Sequence, residues 1–264
     1  MDSFQIIQPS TLLAPFVKHY WFMTINSADL ATERIIPAGM MCLTFHRGER
    51  LFSSADNCLQ PRSFLSGIDS SYTDLSFNGC IDLISIDFRP AGAKAFFKMP
   101  MIDLNGQNIA IDSFSDPQLV ELENRLFDTT NPMDCVSIIE NFLYKRLFQL
   151  DTYNLKRINA VIKSIYQGQQ NIDNLAQTAC LGYKQFKRIF ADYIGANPKD
   201  YLRVIRFQKA LHIMKIRPYL GQAQFAYECG YYDQAHFIKE FKLFSGYTPT
   251  EYLNICTPHS DFFS

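Results

Sequence analysis

Two short stretches in the second half of the chain place polar and basic side chains where they would share the outward side of a helix. The first offers Tyr183, Lys184, Gln185, Lys187 and Arg188, and the second offers Asp233, Gln234, Ala235, Ile238, Lys239 and Lys242. The Gln185 amide suits N6 and N7 of adenine, while Arg188 or Lys184 can bind guanine or a phosphate. Asp233 can also cap its own helix, and His236, within the second stretch, is either a contact residue or a structural one. These residue types predict recognition of a DNA duplex.

The two stretches belong to two copies of one pattern. The residues Phe186, Phe190, Gly195, Pro198, Tyr201 and Leu202 recur 51 positions later as Phe237, Phe241, Gly246, Pro249, Tyr252 and Leu253. Before the first phenylalanine the offset is 50, so the second copy has one extra residue in its turn. One such helix alone is most often an amphipathic helix with a solvated face. Two copies in the same order favour two helix-turn-helix units, in which the second helix presents side chains to base edges.

Helices and short turns must position these side chains. An apolar face at Ile158, Val161, Ile162 and Ile165 predicts a first helix, and further helices are predicted over 172–179, 183–193, 198–216, 222–229, 233–244 and 249–255. Asn171 and Asn197 are the predicted caps of two of them. Pro198 suits a first helical position, where its missing N–H has no partner anyway. The 198–216 helix would join the two units.

The first 110 residues predict strands instead. Apolar runs at 19–25, 40–45 and 81–88 are separated by turn-forming residues at 37–39, 47–49, 78–79 and 105–106. The 81–88 run alternates in polarity, as expected of a half-buried strand. Many short strands predict a small barrel or sandwich, with a cupin-like arrangement as one option. Two helices should follow within 117–148, with Thr130 or Asn131 near the cap of the second, which would bury against the barrel or a second subunit. The predicted fold class is α+β, with an all-α tandem helix-turn-helix region at the end.

Charge is distributed unequally along the chain. Residues 1–150 hold 11 Lys and Arg against 17 Asp and Glu, a net charge of −6, whereas residues 151–264 hold 14 against 9, a net charge of +5. This asymmetry fits a regulatory domain over 1–150 joined to a polyanion-binding domain over 151–264. Two ordinary domains with scattered charge are the alternative.

Several classes of site are not expected. Seven cysteines without a C-x-x-C pair argue against disulfides or a zinc knuckle and favour a reducing compartment, with the thiols buried as small apolar groups. No apolar run is long enough to span a membrane. His19 and His46 lack neighbouring ligands, so no metal site is predicted, and Tyr20, Trp21 and Phe22 are interpreted as core. Because no nucleophile elbow, P-loop or carboxylate pair occurs, we expect neither catalysis nor a cofactor.

The second copy resembles the C-terminal signature of the AraC/XylS family of bacterial transcription regulators. The matching residues are Gly230, Asp233, Gln234, His236, Phe237, Phe241, Lys242, Gly246, Thr248, Pro249 and Tyr252. Tyr231, Ala235 and Lys239 replace the family's Phe, Ser and Arg, while Cys180 and Leu253 stand where Gly and Arg are common. The resemblance covers about residues 155–256. The N-terminal half is similar to uncharacterised β-rich domains of some members, through Trp21, residues 36–39 and residues 88–92.

The resemblance implies a cytoplasmic regulator with two helix-turn-helix units that insert into one face of promoter DNA about a helical turn apart. By analogy, the N-terminal domain would sense a small-molecule effector or mediate homodimer formation. RNA polymerase is a further candidate partner. Lys184, Lys187 and Arg188 make the first recognition face the more basic, whereas Asp233 and Glu240 offset the lysines of the second. The first copy is therefore predicted to make more of the contacts that recognise the DNA sequence. A ligand-binding module whose helices bind protein rather than DNA is the alternative function.

Overall fold

Strands fill the first part of the chain and helices the rest, which confirms the predicted fold class. The computed structural model describes residues 2–147, 152–217 and 221–255. Its strands are β1 (Ser3–Ile7), β2 (Val17–Ile35), β3 (Cys42–His46), β4 (Phe52–Ser53), β5 (Cys58–Leu59), β6 (Ser63–Ser66), β7 (Thr73–Phe88) and β8 (Asn108–Ala110). Short 3-10 helices lie at Ala93–Ala95, Met101–Leu104 and Ile111–Phe114.

The strands form one antiparallel sheet in the order β1-β2-β7-β3-β6-β8, with β4 pairing to β5 and β7. The end strands β1 and β8 do not pair with each other among the described residues, so the sheet is not closed as a barrel. The long strands β2 and β7 pair along almost their whole length, and this ribbon carries the rest of the sheet.

Two expectations about β7 were wrong. The turn predicted at Asn78-Gly79 is part of the strand, where Gly79 has φ +82° opposite a register shift between Ser27 and Ala31 of β2. A left-handed glycine can be accommodated in a bulge, so the turn signal marks an irregular pairing rather than a reversal. Segment 81–88 is also buried on both faces rather than one, and Ser85 and Asp87 lie inside the protein.

The helices agree closely with their predicted bounds. They are α1 (Pro117–Phe127), α2 (Pro132–Arg146), α3 (Thr152–Tyr166), α4 (Ile172–Thr178), α5 (Tyr183–Ile194), α6 (Pro198–Ile216), α7 (Gln222–Cys229), α8 (Gln234–Ser245) and α9 (Pro249–Ile255). Asn131 and Asn171 cap α2 and α4 through their side chains, whereas Asn197 precedes α6 without such a bond. Within the described ranges, no helix combines the length and apolar character needed to cross a membrane.

The apolar core runs without a break from the sheet into the first helix-turn-helix unit. One cluster includes Leu43 and Phe88 of the sheet, Ile139 of α2, and Phe186 and Phe190 of α5. A second cluster surrounds Phe207, Phe237 and Phe241 of the second unit. Helix α2 therefore buries its apolar face within its own chain. The proposed boundary at residue 150 lies among residues 148–151, outside the described part of the chain.

Burial of the cysteines differs from the expectation. Cys135 and Cys229 are buried as predicted, but Cys58, Cys80 and Cys180 are exposed. Tyr20 and Phe22 are buried in the main core, as interpreted, whereas Trp21 is buried in a separate cluster and also lines a cavity.

Candidate nucleic-acid interface

The first helix-turn-helix unit consists of α4, a turn and α5. The turn passes through Cys180, which has φ +51° where the second copy has Gly230 at +78°. Cys180 thus adopts the backbone conformation of the glycine that it replaces, although side chains make this region unfavourable. The conformation is needed because the turn must reverse the chain between α4 and α5.

Helix α5 buries one side and exposes the other. Phe186, Ile189 and Phe190 are buried, and Phe186 and Phe190 pack with ring centroids 5.6 Å apart. All five predicted contact residues are exposed: Tyr183, Lys184, Gln185, Lys187 and Arg188. The Lys187 ammonium lies 5.6 Å from the centroid of the Tyr183 ring. The helix therefore presents an amide, a phenol and three cations on one continuous outer surface.

The second unit repeats this arrangement with α7 and α8. Phe237 and Phe241 are fully buried, whereas Gln234, Ala235, Lys239 and Lys242 are exposed. The Asp233 carboxylate accepts a hydrogen bond of 2.7 Å from the His236 N–H, so Asp233 does cap α8. A side chain engaged in this way stabilises the helix start and is less free to contact a base.

Glu240 does not lie on the outer face of α8, which corrects the sequence interpretation. Its side chain is 8% exposed and binds two arginines of α6, with Arg203 Nε at 2.6 Å and Arg206 Nη2 at 3.1 Å. Position 240 follows Phe237 by three residues and therefore shares its inward side. Glu240 joins the second recognition helix to the connecting helix, so the outer face carries Lys239, Lys242 and, at its start, the exposed Asp233.

His236 also makes contacts inside the unit. Its Nε2 lies 3.6 Å from Glu240 Oε1, and its ring meets Tyr231 edge-on at a centroid distance of 5.5 Å. Its side chain is 38% exposed. This geometry fits the structural alternative raised for His236, since two of its neighbours hold it in place.

Helix α6 separates the two units. Its 19 residues correspond to about 28 Å at 1.5 Å per residue. Successive major grooves on one face of B-DNA are about 34 Å apart. The length of α6 is therefore comparable with the spacing of neighbouring major grooves.

The N-terminal domain borders both recognition helices. Gln185 and Arg188 face a groove whose other wall includes Pro100 and Ile102. Lys239 and Lys242 line a wider groove of 1110 Å³ opposite Ser71 and Tyr72. Both outer faces are reachable by solvent, but each has the sheet domain at its side.

Sequence reasoning missed two features of the site. The Arg203–Glu240–Arg206 cluster was missed because Glu240 lies 34 to 37 residues from the two arginines and all three residue types are usual at surfaces. The other feature is a polar cavity of 290 Å³ within the N-terminal domain, lined in part by Trp21, His46 and Asp87. No linear motif marks it, because its lining comes from strands and loops distant in sequence.

Burial changes the protonation of His46 in this cavity. Desolvation lowers the pKa of His46 to about 4, and the charges of Arg50 and Arg62 act in the same direction, while Gln60 opposes them. His46 is therefore neutral at pH 7.

Two family models match the chain in separate regions. A helix-turn-helix domain model matches residues 175–255, from α4 to the end of α9. Residues 5–110 match DUF6597, a domain of unknown function. The helix-turn-helix match includes both α5 and α8, so it covers both predicted recognition helices.

Curated relatives match mainly as transcriptional regulators. An uncharacterized HTH-type transcriptional regulator of Haemophilus influenzae is 35% identical over 100 residues, which is 37% of this chain and 33% of the relative. The probable transcriptional regulator LumQ of Photobacterium leiognathi is 24% identical over 137 residues, 50% of this chain and 55% of that protein. The chain thus spans between a third and about half of the length of these relatives.

Among solved structures, ToxT from Vibrio cholerae is similar over 97% of this chain and 99% of its own, with 12% identity and a TM-score of 0.47. A second ToxT structure carries a bound unsaturated fatty acid, with 12% identity, a TM-score of 0.45, and coverage of 97% of this chain and 96% of its own.

Proposed function

The chain belongs to the AraC/XylS family of bacterial transcriptional regulators, and on this premise we propose that it binds specific promoter DNA through α5 and α8. In the same proposal, a small molecule held in the N-terminal domain changes that binding. Catalysis forms no part of this function. The protein acts in the cytoplasm, and its further partners are RNA polymerase and a second copy of the chain.

One observation carries the proposal. Each of two equivalent helices follows the same kind of turn, buries the two phenylalanines that correspond in the repeat, and exposes basic side chains on its outer face. Cations on such a face displace counterions from phosphates, and this supplies affinity that falls with salt. The exposed amides Gln185 and Gln234 add groups that read adenine.

The test measures binding to a labelled duplex from the region upstream of the gene, by fluorescence anisotropy at several salt concentrations. We expect the specific duplex to bind at least a thousandfold more tightly than a scrambled duplex. Replacing Arg188 and Lys239 together by alanine should weaken binding more than tenfold and reduce the salt slope by about 2, because each lost phosphate contact removes about 0.9.

Lys145→Ala is the matched control, since Lys145 is an exposed cation of α2 away from both recognition helices. It should leave affinity and salt slope unchanged. An unaltered affinity and slope in the Arg188→Ala, Lys239→Ala double variant would show that the recognition helices are misplaced. Equal affinity for specific and scrambled duplexes would instead favour a protein-binding module.

A further inference from the structure

The cavity of the N-terminal domain has a polar floor and an aromatic wall. Thr44, Ser85 and Asp87 supply buried polar groups, and Trp21 and Phe64 supply the rings. The indole N–H of Trp21 donates to Asp87 Oδ1 at 3.0 Å, and the Ser85 hydroxyl donates to the same oxygen at 3.0 Å. The volume of 290 Å³ lies near the lower end of small-molecule sites, so a compact ligand is required.

The charge of the lining has one sign. Asp87 lies at the floor, where its Oδ2 also binds His19 Nε2 at 2.8 Å, and Asp56 and Asp69 lie at the exposed mouth. No lysine or arginine is among the cavity's lining residues in the described part of the chain. Aspartates around a low-dielectric cleft focus a negative potential that attracts cations and repels anions.

His46 gives a second and independent indication of a ligand. Its side chain is fully buried and lines the cavity, with its ring 5.7 Å from that of Phe64. Neither ring nitrogen has a partner within 3.5 Å and in hydrogen-bond geometry among the described residues, although the neighbouring Gln60 side chain acts on His46 by raising its pKa. Buried polar atoms are rarely left unpaired, because each costs about 1–3 kcal/mol. A bound molecule would satisfy them.

We propose that this cavity binds a small organic cation, an amine with a compact apolar body, whose N–H groups are accepted by the carboxylates and by His46. The apolar body stacks against Trp21 and Phe64, where a cation also gains from the ring faces. The carboxylates disfavour an organic acid of the same shape. This inference builds on the proposed function, since it names the class of effector.

Trp21 allows a direct measurement, because it is the single tryptophan of the chain and lines the cavity. The protein is titrated with n-butylamine, agmatine, 2-phenylethylamine and tryptamine. The alcohol and carboxylate analogues of n-butylamine and 2-phenylethylamine are titrated for comparison. Tryptophan emission reports binding for the non-fluorescent probes, and a thermal shift reports it for tryptamine. We expect at least one amine to bind saturably, and at least tenfold more tightly than its uncharged or anionic analogue.

Two variants localise the binding. Asp87→Asn removes the floor charge and should weaken the amine at least tenfold; Asp69→Asn, at the exposed mouth, should weaken it severalfold without disturbing the core. Asp112→Asn is the control, because Asp112 is exposed and does not line the cavity. Asp69→Asn keeps the test valid if Asp87→Asn does not fold.

The outcomes separate this inference from the proposed function. The cation site is wrong if none of the amines binds saturably, or if a carboxylate analogue binds more tightly than its amine. This conclusion does not depend on the DNA-binding result. If the protein binds an amine but binds the specific and scrambled duplexes equally, the cation site is supported and the proposed DNA function is wrong. If neither Asp69→Asn nor Asp87→Asn changes the affinity for the amine, the amine binds outside this cavity and the proposed site is wrong.

Discussion

At the scale of single residues, the neutral state of His46 makes folding depend on pH. The pKa of His46 is about 4 in the folded chain, against an ordinary value of 6.5. Between pH 6.5 and pH 4, His46 is therefore mostly protonated in the unfolded chain and mostly neutral in the folded chain. This contribution to stability is complete above pH 6.5 and is lost as the pH falls towards 4.

We predict that the change in unfolding free energy between pH 7 and pH 5 differs by about 2 kcal/mol between the unaltered protein and His46→Gln, with the variant keeping more of its stability at pH 5; the amount follows from 1.36 kcal/mol per pKa unit. Desolvation and the charge of Asp56 raise the pKa of Asp69 to about 6, which acts in the opposite direction but equally in both proteins. Urea denaturation at the two pH values measures the difference. His212→Gln, at an exposed position of α6, is the control and should keep the full pH dependence. If the His46→Gln variant loses as much stability as the unaltered protein, His46 is not the responsible group.

At the scale of elements, the two recognition helices differ in how many of their polar residues are already engaged. On α8, Asp233 caps the helix and His236 contacts Glu240 and Tyr231. On α5, Lys184, Gln185 and Arg188 extend from an exposed face. We therefore keep as a prediction that the copy with the recognisable signature is the more structural one, and that the less recognisable copy makes more of the base contacts.

The matched pair Gln185→Ala and Gln234→Ala tests that hypothesis. Both glutamines are exposed near the start of their recognition helix. We predict that Gln185→Ala costs about 1–3 kcal/mol of discrimination between specific and scrambled duplexes, and that Gln234→Ala costs clearly less. Competition binding at fixed salt measures both ratios. A larger loss of discrimination in Gln234→Ala would reverse the assignment.

Helices were predictable from the sequence because their signals are local. Asn131 and Asn171 cap their helices, Pro198 begins α6, and the glycines at 195 and 246 end α5 and α8. The sheet was only partly predictable, because its pairing joins distant segments. Strand β3 lies between β7 and β6, and burial of both faces of 81–88 depends on that placement.

The candidate site divides in the same way. Exposure of Lys184, Gln185 and Arg188 follows from helical periodicity and was predicted correctly. Glu240 was misplaced, since its burial depends on Arg203 and Arg206 more than thirty residues earlier. The cavity was missed for the same physical reason: no short segment contains enough of its lining to reveal it.

At the scale of the whole molecule, the N-terminal domain contacts both helix-turn-helix units at equivalent points. Gly195 and Gly246 end the two recognition helices with positive φ, and both lie against the N-terminal domain. A Cβ at Gly195 would collide with Met41, and one at Gly246 would collide with Arg34. Each unit thus contacts the N-terminal domain at a glycine that occupies the same position in the repeat.

Different polar groups fix each docking point. Arg34 of β2 pairs with Asp74, donates to the Ser245 carbonyl oxygen at 3.3 Å, and lies 4.4 Å from the Tyr247 ring centroid. Lys94, near the first unit, donates to Asp192 Oδ1 at 2.8 Å. The first unit also shares the main apolar core with the sheet, whereas the second packs in a separate cluster to which the N-terminal domain adds Ile36 and the partly buried Tyr72.

We therefore predict that two substitutions increase amide hydrogen exchange in different units. Arg34→Ala should increase amide hydrogen exchange in α8 and α9 severalfold and leave α5 unchanged, because it removes the guanidinium that holds the second unit. Lys94→Ala should raise exchange only near the end of α5, and by less, since the shared core still holds the first unit. Hydrogen exchange with mass spectrometry resolves these segments, and Lys145→Ala should alter neither. Equal changes in both units from either substitution would mean that the units move as one body, so that a ligand-induced change in the sheet would reach α5 and α8 together.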